Sequence, residues 1–302
     1  FRVTTGELRL VDGDNNTYGV SSDGVITVDI AGCLGLGVGE STLVFEELGR
    51  HLVPGPLVGT ELAAVCGLTT ADAPRVMGVV ERHGAPIVVE HFDDLDRLLV
   101  LDASGVWSVT PDAVAVERIE RPLDPLTPTS RVTGPLPLGE QIGDATTSRR
   151  LWLDGAVLTS ALLVGVAQAA TDLAVAYAKQ RQQFGRPIAG FQAVKHLLAD
   201  IQARTTAAQA AVYAAAATLA DPGVGDVVRA VAAAKITAGQ AAVHAGREGI
   251  QVHGGMGFAW EVPAHLYWKR ALLLNTTFGS PDTHAVLLAD RKSVQAAGRI
   301  AK

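Results

Sequence analysis

Residues 176–192 (AYAKQRQQFGRPIAGFQ) combine side chains that suit the binding of a phosphate and of a nucleoside. Arg181 comes at the end of a long predicted helix, three residues before Phe184. Its planar guanidinium can bind two phosphate oxygens at once, although an ion pair with an acidic side chain is the common alternative for a surface arginine. Gly185 gives the backbone freedom for a turn after the helix. The amide of Gln192 can donate and accept, as a ribose or adenine requires, with a solvated glutamine at a helix start as the alternative.

A second segment, residues 251–258 (QVHGGMGF), places two adjacent glycines after another predicted helix. A backbone without Cβ atoms at Gly254 and Gly255 allows a pyrophosphate to approach at van der Waals distance. A Gly-Gly pair alone is a weak signal, but its flanking residues strengthen it. His253 has two interpretations, a ligand contact or a packed and hydrogen-bonded core histidine.

The two segments resemble flavin-binding motifs of the acyl-CoA dehydrogenases, in the order and at about the distance found in that family. The resemblance implies FAD as cofactor, and it implies that Arg181 and Gln192 reach a flavin bound mainly by a neighbouring subunit. It covers roughly residues 40–300, with specific motifs only in the C-terminal half. The residues for which it implies contact with FAD are Arg181, Phe184, Gln192, Gln251, Val252, His253, Gly254, Gly255 and Ser280.

The resemblance also shows where a catalytic base is missing. Acyl-CoA dehydrogenation needs a carboxylate that removes the α-proton of the thioester while a hydride leaves to the flavin. The place of the family's glutamate falls on Phe278, and the alternative place on the helix before the arginine motif falls on Gly155. Asp154 lies one residue from the second place, where its shorter side chain is expected to point to another face. We therefore predict no catalytic residue on this chain.

Composition excludes several classes of protein. Of the 302 residues, 48% are hydrophobic and 19% are charged, and the net charge is −6, which gives no basic footprint for nucleic acid. The longest apolar runs are shorter than the roughly 20 residues of a bilayer span, and we expect no leader, so the protein is predicted to be cytoplasmic without a membrane span. Cys33 and Cys66 lack metal-ligand spacing and are predicted to be reduced core residues, with no metal bound.

Hydrophobic patterning predicts a mainly α protein with a small β domain, as in the acyl-CoA dehydrogenase fold. We expect a helical N-terminal domain at 1–67, a small antiparallel β domain at 68–148, and a C-terminal four-helix bundle at 149–302. The resemblance to the family implies that this N-terminal domain is incomplete, because it is short for the family. Helical spacing or breaker residues delimit the expected helices, which cover 40–51, 59–65, 191–219, 227–251, 263–274 and 281–298, together with the helix that follows residue 151.

These features lead to three hypotheses. The first is a subunit of a heteromeric (α2β2) acyl-CoA dehydrogenase, similar to the actinobacterial enzymes that act on steroid side-chain CoA thioesters. A homologous partner subunit then supplies the glutamate, and an electron-transfer acceptor reoxidises the flavin. The second is a structural subunit without flavin contact. The third is a self-sufficient homo-oligomeric enzyme with an atypical base such as Asp154 or Asp282.

Overall fold

A computed structural model describes residues 10–11, 17–18, 37–69, 75–82 and 86–300 of the chain. The chain divides into two compact units, one made of Phe1–Ser41 and Val53–Gly155 and the other of Thr42–Leu52 and Ala156–Lys302. Much of the predicted N-terminal domain, and Cys33 with it, lies outside the described residues. The three domain boundaries therefore stay predictions.

The first unit holds one complete short helix, the start of another and most of the strands. Helix α1 (Val38–Arg50) begins in this unit, and α2 (Leu57–Val65) belongs to it entirely. The strands before the long helices are β1 (Leu10–Val11), β2 (Thr17–Tyr18), β3 (Met77–Glu81), β4 (Val88–Glu90), β5 (Arg97–Asp102), β6 (Gly105–Val109), β7 (Val116–Arg118), β8 (Thr129–Val132) and β9 (Glu140–Asp144). They are short and rich in β-branched residues, as the sequence predicted.

Strands β3 to β9 form two small sheets. One sheet has the order β3-β5-β6-β9 and the other β4-β8-β7. All pairings in them are antiparallel except β3 with β5, which run parallel with Val79 opposite Leu99. The expected antiparallel sheet is thus correct apart from this one pair. Val80, Val89, Leu98, Val100 and Val109 are among the buried side chains that form the core between the strands.

The second unit is helical. Helix α3 (Ala145–Gln180) enters it at Ala156 and is followed by α4 (Gln192–Ala220), α5 (Val227–His253), α6 (Ala264–Leu274) and α7 (Pro281–Ile300). These bounds agree with the predicted helices to within a few residues, except that α3 begins earlier than expected. The prediction of a mainly α fold with a small β domain is confirmed.

Small residues let helices α1 and α3 approach closely within the second unit. A Cβ on Gly165 would overlap the backbone carbonyl of Glu46, and a Cβ on Gly49 would overlap the backbone of Leu162. A carboxylate is enclosed at this crossing. Glu46 is 6% exposed and accepts hydrogen bonds from the amide of Gln209 at 2.6 Å and the hydroxyl of Tyr213 at 2.7 Å, both on α4. Burial and this carboxylate raise the pKa of Tyr213 to about 12.

Helix α3 is long and apolar enough to cross a membrane by length and composition. However, 89% of its most apolar 18-residue window is buried within the protein. A core helix of a bundle has the same properties, because its apolar surface is covered by neighbouring helices instead of lipid.

Candidate functional site

An aromatic contact brings the two predicted motifs together. The ring of Tyr177, in the last turn of α3, stacks on the imidazole of His253, the last residue of α5, with 4.3 Å between ring centroids. The backbone N–H of Arg181 donates to the carbonyl of Tyr177 at 2.8 Å, and Gly254 directly follows His253. Two segments that are far apart in the sequence therefore meet at one end of the helical unit.

The first motif forms a two-residue hairpin, which the sequence analysis did not predict beyond a turn. Strands β10 (Gln182–Gln183) and β11 (Arg186–Pro187) pair antiparallel. The two loop residues both have positive φ, 52° at Phe184 and 73° at Gly185, which is the type I′ geometry that matches strand twist. Glycine adopts this conformation freely, whereas a bulky aromatic side chain is strained in it.

The strained backbone at Phe184 is not accompanied by burial of its side chain. Its side chain is 91% exposed and touches Phe191 edge-to-face, with ring centroids 6.1 Å apart. The guanidinium of Arg186 lies 4.2 Å from the centroid of the same Phe191 ring. A strained and exposed aromatic residue that the chain's own core does not use indicates a contact with something outside this chain.

Arg181 and Gln192 are also exposed beside the hairpin. Among the described residues, the Arg181 guanidinium has no ion-pair partner, so the alternative of a surface ion pair is not formed within this chain. Gln192 is the first residue of α4, and its amide makes no hydrogen bond within the described part of the chain. Both side chains are available to a ligand or to another subunit.

The two glycines after α5 differ in what the fold requires of them. Gly254 has φ 61° and ψ −139°, a conformation open in practice only to glycine, and its N–H donates to the carbonyl of Gln251 at the helix end. Gly255 has no such backbone requirement, and a Cβ there would meet no atom of the chain within 4 Å. The backbone conformation therefore explains why residue 254 is a glycine. It does not explain Gly255, which has open space where a Cβ would stand.

The other residues of this motif divide between surface and core. Gln251 is exposed and Val252 is partly exposed. His253 is 4% exposed, and its Nδ1 is 2.7 Å from the carbonyl oxygen of Gly249, in addition to the stack on Tyr177. The histidine is therefore packed and hydrogen-bonded, and its imidazole serves to join α3 to α5.

Phe278 and Ser280 lie at a different place. Their segment is bonded to Lys235 on α5, which precedes His253 by 18 residues, or about 27 Å at about 1.5 Å per residue. Phe278 is 3% exposed, so its side chain is buried. Ser280 begins α7 as its cap, since its Oγ accepts from the N–H of Thr283 at 3.2 Å. The structure does not bring these two residues to the Arg181 end of the bundle.

Gly155 and Asp154 are buried in α3. Arg150, one turn earlier, places its Nε 3.0 and 3.1 Å from the two carboxylate oxygens of Asp154. Burial raises the pKa of Asp154 despite this ion pair, and the charge of Glu61 adds to the effect. The raised pKa of the half-buried Cys66 thiol has the same cause, burial first and Asp154 second. Asp154 is thus occupied by an intrahelical ion pair.

The sequence analysis missed two residues of these arrangements, Tyr177 and Lys235. An aromatic residue one helical turn before Arg181 was visible in the sequence, but its stacking partner was not. In the part of the chain that the structure describes, no three His, Cys, Asp or Glu side chains are grouped as metal ligands.

Comparison with known proteins assigns the family. Residues 153–292 match the model of the acyl-CoA dehydrogenase C-terminal domain. The chain is 34% identical over 246 residues to acyl-CoA dehydrogenase IpdE2 of Mycobacterium tuberculosis, which covers 77% of this chain and 71% of that protein. Among solved structures, a variant of the Tcur3481-Tcur3483 steroid ACAD has a TM-score of 0.75 at 24% identity, over 87% of this chain and 83% of that one.

A second solved structure, the ChsE4-ChsE5 complex from Mycobacterium tuberculosis, has a TM-score of 0.73 at 22% identity, over 86% of this chain and 81% of that one. At this identity the two structural matches establish the fold, and the match to IpdE2 extends the relationship to the sequence over most of both proteins. The chain belongs to the acyl-CoA dehydrogenase family.

Proposed function

We propose that this chain is one subunit of a cytoplasmic, flavin-dependent acyl-CoA dehydrogenase that introduces an α,β double bond into an acyl-CoA thioester. The partner is a homologous subunit in an α2β2 heterotetramer, and it supplies the catalytic glutamate. Family membership supports the oxidoreductase class. The matched fold of a steroid ACAD and of the ChsE4-ChsE5 complex supports a steroid side-chain thioester as substrate and a second, unlike subunit as partner.

One observation carries the proposal. The Tyr177–His253 stack brings together the two segments that contain Arg181, Phe184 and Gly255. Among the described residues the Arg181 guanidinium has no ion-pair partner, the Phe184 ring is 91% exposed with one edge contact to Phe191, and Gly255 has open space where a Cβ would stand. A guanidinium, an exposed aromatic ring and a backbone without a Cβ suit the binding of the pyrophosphate and ring systems of FAD. Both segments follow the carbonyl ends of helices, where the macrodipole repels an anion, so Arg181 is the group here that attracts a phosphate.

The role of this chain's residues follows from their chemistry. Bound FAD supplies the acceptor for the hydride that leaves the β-carbon of the substrate. Arg181 would hold a phosphate of FAD by charge-assisted hydrogen bonds, and Gly255 would let the backbone approach it. The α-proton needs a carboxylate, and neither enclosed Phe278 nor Gly155 provides one. The base therefore comes from the partner subunit, and an electron-transfer acceptor completes turnover.

The test is coexpression with a homologous acyl-CoA dehydrogenase subunit from the same genome, followed by a flavin count and by Arg181→Ala. Loss of one bidentate bond should weaken flavin binding about tenfold or more, since hydrogen bonds to charged groups contribute about 1.5–3 kcal/mol. Arg229→Ala, at an exposed arginine of α5, is the matched control and should leave the flavin bound. A complex that assembles without flavin would instead make this chain a structural subunit, and activity of the chain alone would make it self-sufficient.

A further inference from the structure

Lys235 on α5 is a fully buried lysine held by three carbonyl groups. Its side chain is 0% exposed, and Nζ donates to the carbonyl oxygens of Leu274 at 3.1 Å, Asn275 at 3.0 Å and Gly279 at 3.1 Å. Three acceptors match the three N–H groups of an ammonium. Leu274 ends α6, where the last carbonyls lack intrahelical partners and carry the negative end of the macrodipole. The buried charge is thus compensated by the segment that it holds.

His284 on α7 holds the same segment at a second point. Its ring is 0% exposed, and Nε2 donates to the carbonyl of Phe278 at 2.8 Å. Burial, with a further contribution from the charge of Lys235, lowers the pKa of His284, which favours a neutral ring with its proton on Nε2. The proton on this nitrogen is what the Phe278 carbonyl requires.

The backbone between these two anchors is strained. Phe278 has φ 54° and Gly279 has φ 90°. A left-handed conformation is costly for an aromatic residue and persists only where the surroundings over-determine it. Lys235 donates to backbone carbonyls before and after Phe278, and His284 donates to the carbonyl of Phe278 itself. Together they fix a turn that the local sequence does not favour by itself.

We propose that Lys235 and His284 are positioning residues that fix the backbone of segment 275–280 as a rigid wall of the shared active site. This inference rests on the proposed function, because 275–280 is the segment whose counterpart carries the base in the family. In this fixed segment the side chain of Phe278 is buried, and Ser280 caps the start of α7. Its effect falls on turnover, because the segment lies about 27 Å along α5 from the glycines beside Arg181.

The test measures amide hydrogen exchange and turnover on the coexpressed complex. Lys235→Met keeps the side chain as far as Cε and removes the donors, and His284→Leu removes the second anchor. Both should speed exchange at 275–280 at least about tenfold and lower kcat, with flavin content unchanged. His284→Gln, whose amide can still donate to the Phe278 carbonyl, should restore both quantities towards wild type. Lys195→Met, at an exposed lysine of α4, is the matched control.

Three results would overturn the inference. Exchange at 275–280 could stay within twofold of wild type, exchange could rise equally along α4 and α5, or kcat could stay unchanged while the segment loosens. If Lys235→Met does not fold, the contrast between His284→Leu and His284→Gln decides. Absence of flavin from the wild-type complex would refute the proposed function separately, since hydrogen exchange needs no flavin.

Discussion

The Gly254–Gly255 pair allows the effect of a methyl group on the cofactor to be separated from its effect on the fold. In Gly255→Ala the new Cβ meets no atom of the chain within 4 Å, and the backbone is not in the left-handed region. The unfolded chain loses conformational freedom, so the free energy of unfolding should stay unchanged or rise by about 0.4–1 kcal/mol. Gly254→Ala should instead cost about 1–3 kcal/mol, because φ 61° with ψ −139° is restricted to glycine.

The affinity for FAD, unlike the free energy of unfolding, should fall in Gly255→Ala. If a phosphate lies at van der Waals distance from Gly255, the methyl group displaces it and weakens at least one charge-assisted hydrogen bond. A loss of about 1.5–3 kcal/mol corresponds to an affinity for FAD about 10- to 150-fold lower. Thermal unfolding of the flavin-free complex and equilibrium dialysis against FAD measure the two quantities. Gly39→Ala, at another glycine with open space around its Cβ, controls for the added methyl group.

The reasoning would be refuted by a Gly255→Ala complex that binds FAD within twofold of wild type. The open space in front of Gly255 would then be filled by something other than the cofactor. An equal loss of affinity in Gly39→Ala would also count against it, since that glycine lies on α1, outside both motif segments of the sequence.

Three further predictions follow from single contacts. Asp154→Asn should leave turnover of the complex within a few-fold, because loss of a true general base costs about 10²–10⁴-fold; arrested turnover with flavin and assembly intact would show that this chain carries its own base. Tyr177→Ala should weaken both flavin binding and folding, since it removes the stack on His253, whereas Tyr177→Phe keeps the ring and should match wild type in dialysis and melting experiments. The lowered pKa of His284 means that the unfolded chain binds a proton at this ring more readily than the folded chain does. The free energy of unfolding should therefore be highest above pH 6.5 and fall below that pH, by at most about 1.4 kcal/mol per pH unit. Denaturant unfolding at pH 5–8 should show a shallower pH dependence in His284→Gln.

The sequence was enough for the fold class and for the location of most helices. Apolar residues at helical spacing and breaker residues such as Asp221-Pro222-Gly223 delimit the long helices, because both signals are local. The pairing of strands was not visible in the same way. The parallel match of Met77–Glu81 with Arg97–Asp102 depends on residues distant in the chain, and no local pattern encodes it.

The candidate site was likewise predictable only where its residues are close together in the sequence. Arg181, the Gly-Gly pair and the absence of a base at Phe278 could be read from residue types and their order, because each motif is a short continuous segment. Only the tertiary structure joined the first two through Tyr177 and His253 and showed that the side chain of Phe278 is buried. Those facts depend on side-chain packing between helices, which is set by contacts between residues far apart in the sequence.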